Sequence, residues 1–284
     1  MRLPPTRATF AHFFNERGTH LAAMVAYFAL ASFVPLIVLS LATLGFLNQA
    51  DASSALVTYL EEIFPGQSVD SIVRVLDAIE SNATTLSIVG AVALLWSSVS
   101  LFSALESAFN IIYGLPNRSF LRGKALAVAY MVAALLVLFA GLVVSTLGND
   151  LLQRYAAGVV ANSWGALVLT VLSSALLLFL FLVSAYYRLT NARLSQREVL
   201  PGAIVGAVAL ALTLQGLPLF VYASSDIVAL KALGTTFLLL VWLYVMANVI
   251  VFGAALNYET AYGQTGAVPQ PKRGSTPPTP RDRL

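Results

Sequence analysis

Apolar residues fill long unbroken windows of this chain, and polar residues collect between the windows instead of alternating with them. Six windows carry no charge: 21–47, 86–105, 125–148, 164–187, 200–225 and 232–258. Each is long enough to cross a hydrocarbon core, which takes about 20 helical residues. Their length and the lack of two-residue alternation predict helices, not barrel strands. The first window has the position of a signal peptide. Its apolar run outlasts the roughly 7–15 residues of such a segment, and Pro35 falls mid-span, so it is read as a retained helix.

The connections carry patterns of their own. Between 48 and 85, apolar residues recur at helical spacing on each side of Pro65-Gly66: Leu56, Tyr59, Leu60 and Ile63, then Val69, Ile72, Val73, Leu76 and Ile79. This predicts two short amphipathic helices over the outer mouth of a bundle, or an interfacial hairpin shielding helix ends. Phe10, Phe13 and Phe14 beside Arg7 and Arg17 predict a short N-terminal helix on the inner interface. From residue 265 onward the chain is proline-rich with no apolar period, which predicts disorder. The expected class is therefore all-α: a six-helix transmembrane domain over 1–264 and a disordered cytoplasmic tail over 265–284.

Composition agrees. Hydrophobic residues make up 58%, charged residues 10%, and the mean hydropathy is +0.82. Soluble domains carry about a quarter charged residues and could not hide this much apolar surface. The net charge of +3 and the pI near 9.2 then give no reason to expect nucleic acid as a partner. With no cysteine, disulfides, thiolate metal sites and thiol catalysis are excluded.

The positions of the basic residues predict orientation. Of the sixteen, only Arg74, Arg154 and Lys231 lie in one set of alternate connections. The rest lie at the two ends and in the two remaining loops, which the positive-inside rule places in the cytoplasm. In "YYRLTNARLSQREVLPGAI" (186–204), Arg188, Arg193 and Arg197 hold that loop inside. Topology alone accounts for Arg193 and Arg197.

Polar groups inside or beside the windows mark candidate sites, since leaving them in lipid is costly. Trp96, Ser100, Ser103, Glu106, Asn110 and Tyr113 follow steps of three and four and share one helix face. They line either a hydrated cavity or a packing seam with Glu106 at headgroup depth. Gln215, Pro218, Tyr222 and Asp226 form a second stripe, with Pro218 expected to kink its helix. Gly202 and Gly206 have the spacing of a close helix contact. Tyr244, Asn248 and Glu259 share a face of the last window, where Asn248 is expected to find a partner across helices.

Hydrolytic chemistry is not supported. The two histidines, His12 and His20, form no metal motif, and neither a phosphate-binding loop nor a nucleophile elbow occurs. The chain is not expected to be an enzyme, and no metal or cofactor is implied.

Four blocks in order resemble the YihY/BrkB membrane family: "LAAMVAYFALASFVPLIVL" (21–39), "ALESAFNIIYGLP" (104–116), the 186–204 stretch, and "LGTTFLLLVWLYVMANVIVFGAALN" (233–257). The resemblance covers about residues 7 to 262. It implies a six-helix inner-membrane protein, once labelled ribonuclease BN, with associations to virulence, serum resistance and export of lipopolysaccharide precursors. In one place the chain departs from the family: Ala255 stands in the Gly-Ala-Ala-Leu-Asn run where members often have glutamate, with Glu259 as a candidate substitute.

The expected function is transport or flipping of an anionic lipid or envelope metabolite, with a non-transporting scaffold as the alternative. Arg118, Arg122 and Arg188 would meet the headgroup, while Glu106, Asn110, Tyr113, Gln215, Tyr222, Asp226 and Asn248 line the route. Membrane lipids are the expected partners, and a homo-oligomer is compatible with this reading. Accessibility labelling near residues 70, 155, 192 and 275 tests the topology. Residues 192 and 275 are expected inside and residues 70 and 155 outside; finding 192 with 70 would overturn it.

Overall fold

The computed structural model describes residues 5–46, 83–133, 163–224, 235–263 and 268–272. Among these, the regular elements are helices: α1 (Pro5–Asn15), α2 (Gly18–Phe46), α3 (Ala83–Ile112), α4 (120–133), α5 (Ser163–Leu189), α6 (Gln196–Ser224) and α7 (Thr235–Tyr258). α7 widens into a π turn at Glu259–Gly263. The helices overlap the apolar windows and run past them into polar and charged residues: α3 through Glu106, Ser107 and Asn110, α4 from 120 through Arg122 and Lys124, and α6 from Gln196 through Glu198. The expected helices between 48 and 82, most of the tail and Asp226 lie outside the described residues.

α1 forms as expected and turns into α2 through Arg17, whose backbone is left-handed (φ 55°). Phe13 is buried, with its ring 5.7 Å from that of Phe252 on α7, while Phe10 and Phe14 stay exposed. α2 packs along α3 and α7, and α6 packs along α5 and α7. α4 fills the remaining side. Its Tyr130 hydroxyl donates to the Ser184 carbonyl on α5 (2.6 Å), and its Lys124 ammonium donates to the Ser103 hydroxyl on α3 (3.1 Å). The order around the bundle is therefore α3, α2, α7, α6, α5, α4 and back to α3.

Small residues line the interior, among them Ala22, Ala26, Ala108, Ala203, Ala207 and Ala254, with Phe109, Leu182 and Tyr186 filling the centre. The outside is apolar too: Leu172, Leu176, Leu180, Val208 and Leu212 are exposed. An apolar exterior over a small-residue interior suits lipid as solvent, because helices there associate by close packing and hydrogen bonds rather than by escaping water. Two described windows, Gln196–Gly216 and Phe237–Gly263, are long and apolar enough to cross a membrane.

α6 and α7 pack closely at two glycines. A Cβ on Gly202 would collide with the Gly253 carbonyl, and one on Gly253 would collide with the Tyr186 hydroxyl. Here the glycine spacing serves packing, as its pattern suggested. Gly202→Ala and Gly253→Ala are each expected to destabilise the protein by about 1–3 kcal/mol through overpacking. Gly216→Ala, whose new methyl would lie 3.8 Å from Trp242, is expected to be neutral or stabilising. Thermal unfolding in detergent micelles separates the two outcomes.

Candidate functional site: a buried polar knot

The knot begins at the end of α3. Gly114 adopts a left-handed backbone (φ 63°), and two hydrogen bonds close the helix: Gly114 N–H to Ile111 O (2.9 Å) and Leu115 N–H to Asn110 O (2.8 Å). This is a Schellman closure, which favours glycine because no Cβ obstructs the turn. The chain then reverses along the last turns of α3. Asn110 Nδ2 donates to Asn117 Oδ1 (3.0 Å), and Asn117 Nδ2 donates to the Ser107 hydroxyl (2.9 Å). The reversal brings Arg118 Nη1 to 2.9 Å from Glu106 Oε1.

The second half of the knot is the end of α5, where the last carbonyls of a helix lack N–H partners. Arg118 supplies donors to three in succession: Nη1 to Leu189 O, and Nη2 to Arg188 O (2.8 Å) and Thr190 O (3.0 Å). Lys272 Nζ donates to Tyr187 O (2.8 Å) and to the same Thr190 O (3.0 Å). Cations at a helix C-terminus also offset its negative end. Asn191, fully buried, joins the halves: its N–H donates to Asn110 Oδ1 (2.7 Å) and its Nδ2 to Pro116 O (3.0 Å). The Glu106 and Arg118 side chains are only 5% and 13% exposed. An ion pair so dehydrated persists only when further hydrogen bonds serve its charges, as the carbonyls do here.

Of the residues singled out from sequence, Glu106, Asn110 and Arg118 come together in the knot. Arg118 turns inward, not toward a headgroup, because its planar fork matches three carbonyls and a carboxylate at once. Tyr113 is buried beside the rings of Tyr258 and Tyr262 (5.6 and 6.3 Å), and its hydroxyl has no hydrogen-bond partner among the described residues. Arg122 on α4 and Gln215 on α6 are exposed, and Gly123, next to Arg122, lies against the Glu106 carboxylate. Arg188 is exposed, with its guanidinium 5.9 Å over the Tyr187 ring. Asn248 donates to Tyr244 O of its own helix (2.8 Å), not to a neighbouring one, since that carbonyl lies one turn back within reach. α6 continues through Pro218 and Tyr222 to Ser224. Tyr186 is fully buried and donates to Ile250 O on α7 (2.8 Å).

Sequence reasoning missed Asn191 and Lys272. Asn191 had one signal, an amide directly after a helix end. Lys272 had none, because it sits in the segment whose composition predicts disorder. Residues 268–272 instead lie extended against 191–193, with Ala192 and Pro271 bridged antiparallel. Burial, then the Arg118 and Arg188 charges, lower the Lys272 ammonium to about 8. A free tail therefore binds that proton more tightly than a docked one, and docking gains as pH rises from about 8 toward the ordinary lysine value. Glu259 lies 3.8 Å from His12 Nδ1, while His12 Nε2 donates to Ile112 O (2.9 Å). That links α1, α3 and the π turn, whereas Ala255 is buried in the core. Among the described residues no cluster of metal-ligating side chains occurs.

A small-residue helical bundle, apolar outside and sewn by buried polar groups within, is the architecture of an integral membrane protein. The family profile described as Virulence factor BrkB matches residues 9–277, so the chain belongs to the BrkB family of membrane proteins. It is 23% identical to the Putative ribonuclease-like protein YfkH of Bacillus subtilis, over 87% of this chain and 92% of that one. It is 27% identical to a UPF0761 membrane protein of Rhodospirillum centenum, over 95% of this chain and 61% of the relative, and 26% identical to one of Azoarcus, over 90% and 64%. This chain thus spans less than two thirds of the length of those last two. No solved structure matches it.

Removing one member of the knot leaves the other's charge buried and unpaired. Arg118→Ala and Glu106→Ala are each expected to cost about 3–5 kcal/mol of stability. Tyr113→Phe removes a hydroxyl without a partner and is expected to be neutral or slightly stabilising. Denaturant unfolding in micelles ranks the three, and a Tyr113→Phe loss as large as that of Arg118→Ala would contradict the assignment.

Proposed function

We propose that this protein is a six-span inner-membrane transporter or flippase for an anionic lipid or related envelope metabolite, and that the polar knot is its closed cytoplasmic gate. The observation that carries the reading is the buried Glu106–Arg118 pair tying α3 to the end of α5. Ionisable groups inside a membrane bundle are expensive and mark functional positions. α3 and α5 approach each other sparingly compared with their other neighbours: the Phe109 and Tyr186 rings meet at 5.1 Å, and hydrogen bonds through Arg118 and Asn191 join their ends. Water can replace such bonds one by one, which suits a contact that must open.

Arg188, Arg193 and Arg197 remain exposed at the rim, where an anionic headgroup would first arrive. Both termini and this rim are cytoplasmic in this reading. The names of the relatives support a membrane protein; the ribonuclease-like name of the Bacillus subtilis relative finds no catalytic constellation among the residues described above. A permanent scaffold would use the same knot as a brace, so movement of lipid is the deciding measurement.

The test uses protein reconstituted into phosphatidylglycerol vesicles with a fluorescent analogue of that lipid. Wild type is expected to exchange the analogue between leaflets faster than protein-free vesicles. Arg188→Lys is expected to weaken binding of the analogue about fivefold, roughly 1 kcal/mol, because lysine lacks the planar fork. Arg193→Lys is expected to behave as wild type. Exchange no faster than in protein-free vesicles, in wild type and in a chain ending at residue 267 alike, would leave the scaffold reading standing.

A further inference from the structure

Residues 268–272 cross the knot from outside it, and we infer that they form an autoinhibitory strap, which holds the proposed gate shut until the tail detaches. The inference rests on the gate reading and adds its regulation.

The backbone of the strap pairs with the loop after α5. Lys272 N–H donates to Asn191 O (2.9 Å), and Arg193 N–H donates to Gln270 O (2.9 Å). Asn191 is the residue that binds Asn110, so the strap grips the knot at its centre. Thr190 O accepts from both Arg118 and Lys272, which makes one carbonyl common to strap and knot. Tyr187 O takes its donor from Lys272, so detachment leaves the last turn of α5 short of a cap.

The strap sequence suits reversible docking. Pro269 and Pro271 have no N–H to leave unpaired, and they alternate with Gln270 and Lys272, whose main-chain groups make the two pairing bonds. Proline also holds the segment extended before it docks, so little conformational freedom is lost on binding. Pro269 is buried, yet no long apolar stripe anchors the segment. A few hydrogen bonds and one ring are enough to close the gate and few enough to release.

The chain has no cysteine, so Thr190→Cys introduces a single thiol, and the Thr190 hydroxyl makes no hydrogen bond among the described residues. Thiol labelling of Thr190→Cys is followed in reconstituted protein, beside movement of the phosphatidylglycerol analogue. Three versions are compared: the full chain, a chain ending at residue 267, and full-length Lys272→Gln. Labelling is expected to be about tenfold faster in the shortened chain, equivalent to about 1.4 kcal/mol of local opening. Lys272→Gln is expected to be intermediate, and Lys272→Arg to restore slow labelling. Faster labelling without any lipid movement would support the strap and remove the transport reading. Equal labelling in the full chain, the shortened chain and Lys272→Gln, all monodisperse, would overturn the strap.

Discussion

The fork of Arg118 is the interaction on which the described end of the bundle depends. α5 ends inside the protein, not in water, so its last carbonyls need donors from elsewhere in the chain. Arg118 satisfies those of residues 188, 189 and 190 while Glu106 offsets its charge. That single side chain requires the reversal at Gly114, since only a tight closure of α3 returns residue 118 alongside residue 106. It also requires α3 to stay helical beyond its apolar window. The asparagines then tie together the polar groups that the ion pair does not reach.

Around this knot the helices obey the rules of packing in lipid. Gly202, Gly253 and the interior alanines let backbones approach, and the Tyr186 hydroxyl spends its hydrogen bond on α7 where no water would serve it. The result is a ring whose apolar seams are tight and whose α3–α5 side is closed by polar contacts and α4.

The 186–204 stretch works more through its main chain than through its arginines. The backbone carbonyl of Arg188 is capped by Arg118, and the N–H of Arg193 pairs with the tail. Ser195 and Glu198 close a capping box at the start of α6, the Ser195 N–H donating to Glu198 Oε2 (2.6 Å). The guanidinium groups of residues 188, 193 and 197 point outward. Their charge stays exposed because the architecture beneath does not consume it.

The described helices and the glycine contact were legible in the sequence, because apolar length and spacing are local properties; polar helix ends, such as that of α3 at Ile112, were not. Glu106 and Asn110 stood out as polar residues on one helical face, but that face alone did not fix their direction, since Trp96 on it is exposed while they are buried. What the sequence could not state was their partners. Whether Arg118 meets a lipid or a carbonyl depends on residues some 70 positions away, and Asn248 shows the opposite case, a polar group satisfied within its own turn. Asn191 and Lys272 carry no pattern that local periodicity detects; their role exists only where the end of α5, the loop after it and the tail converge. Local hydrophobic pattern therefore determined which segments are helices. The tertiary structure decided which polar groups pair, because hydrogen bonds in a buried site are set by donors and acceptors brought together from distant parts of the chain.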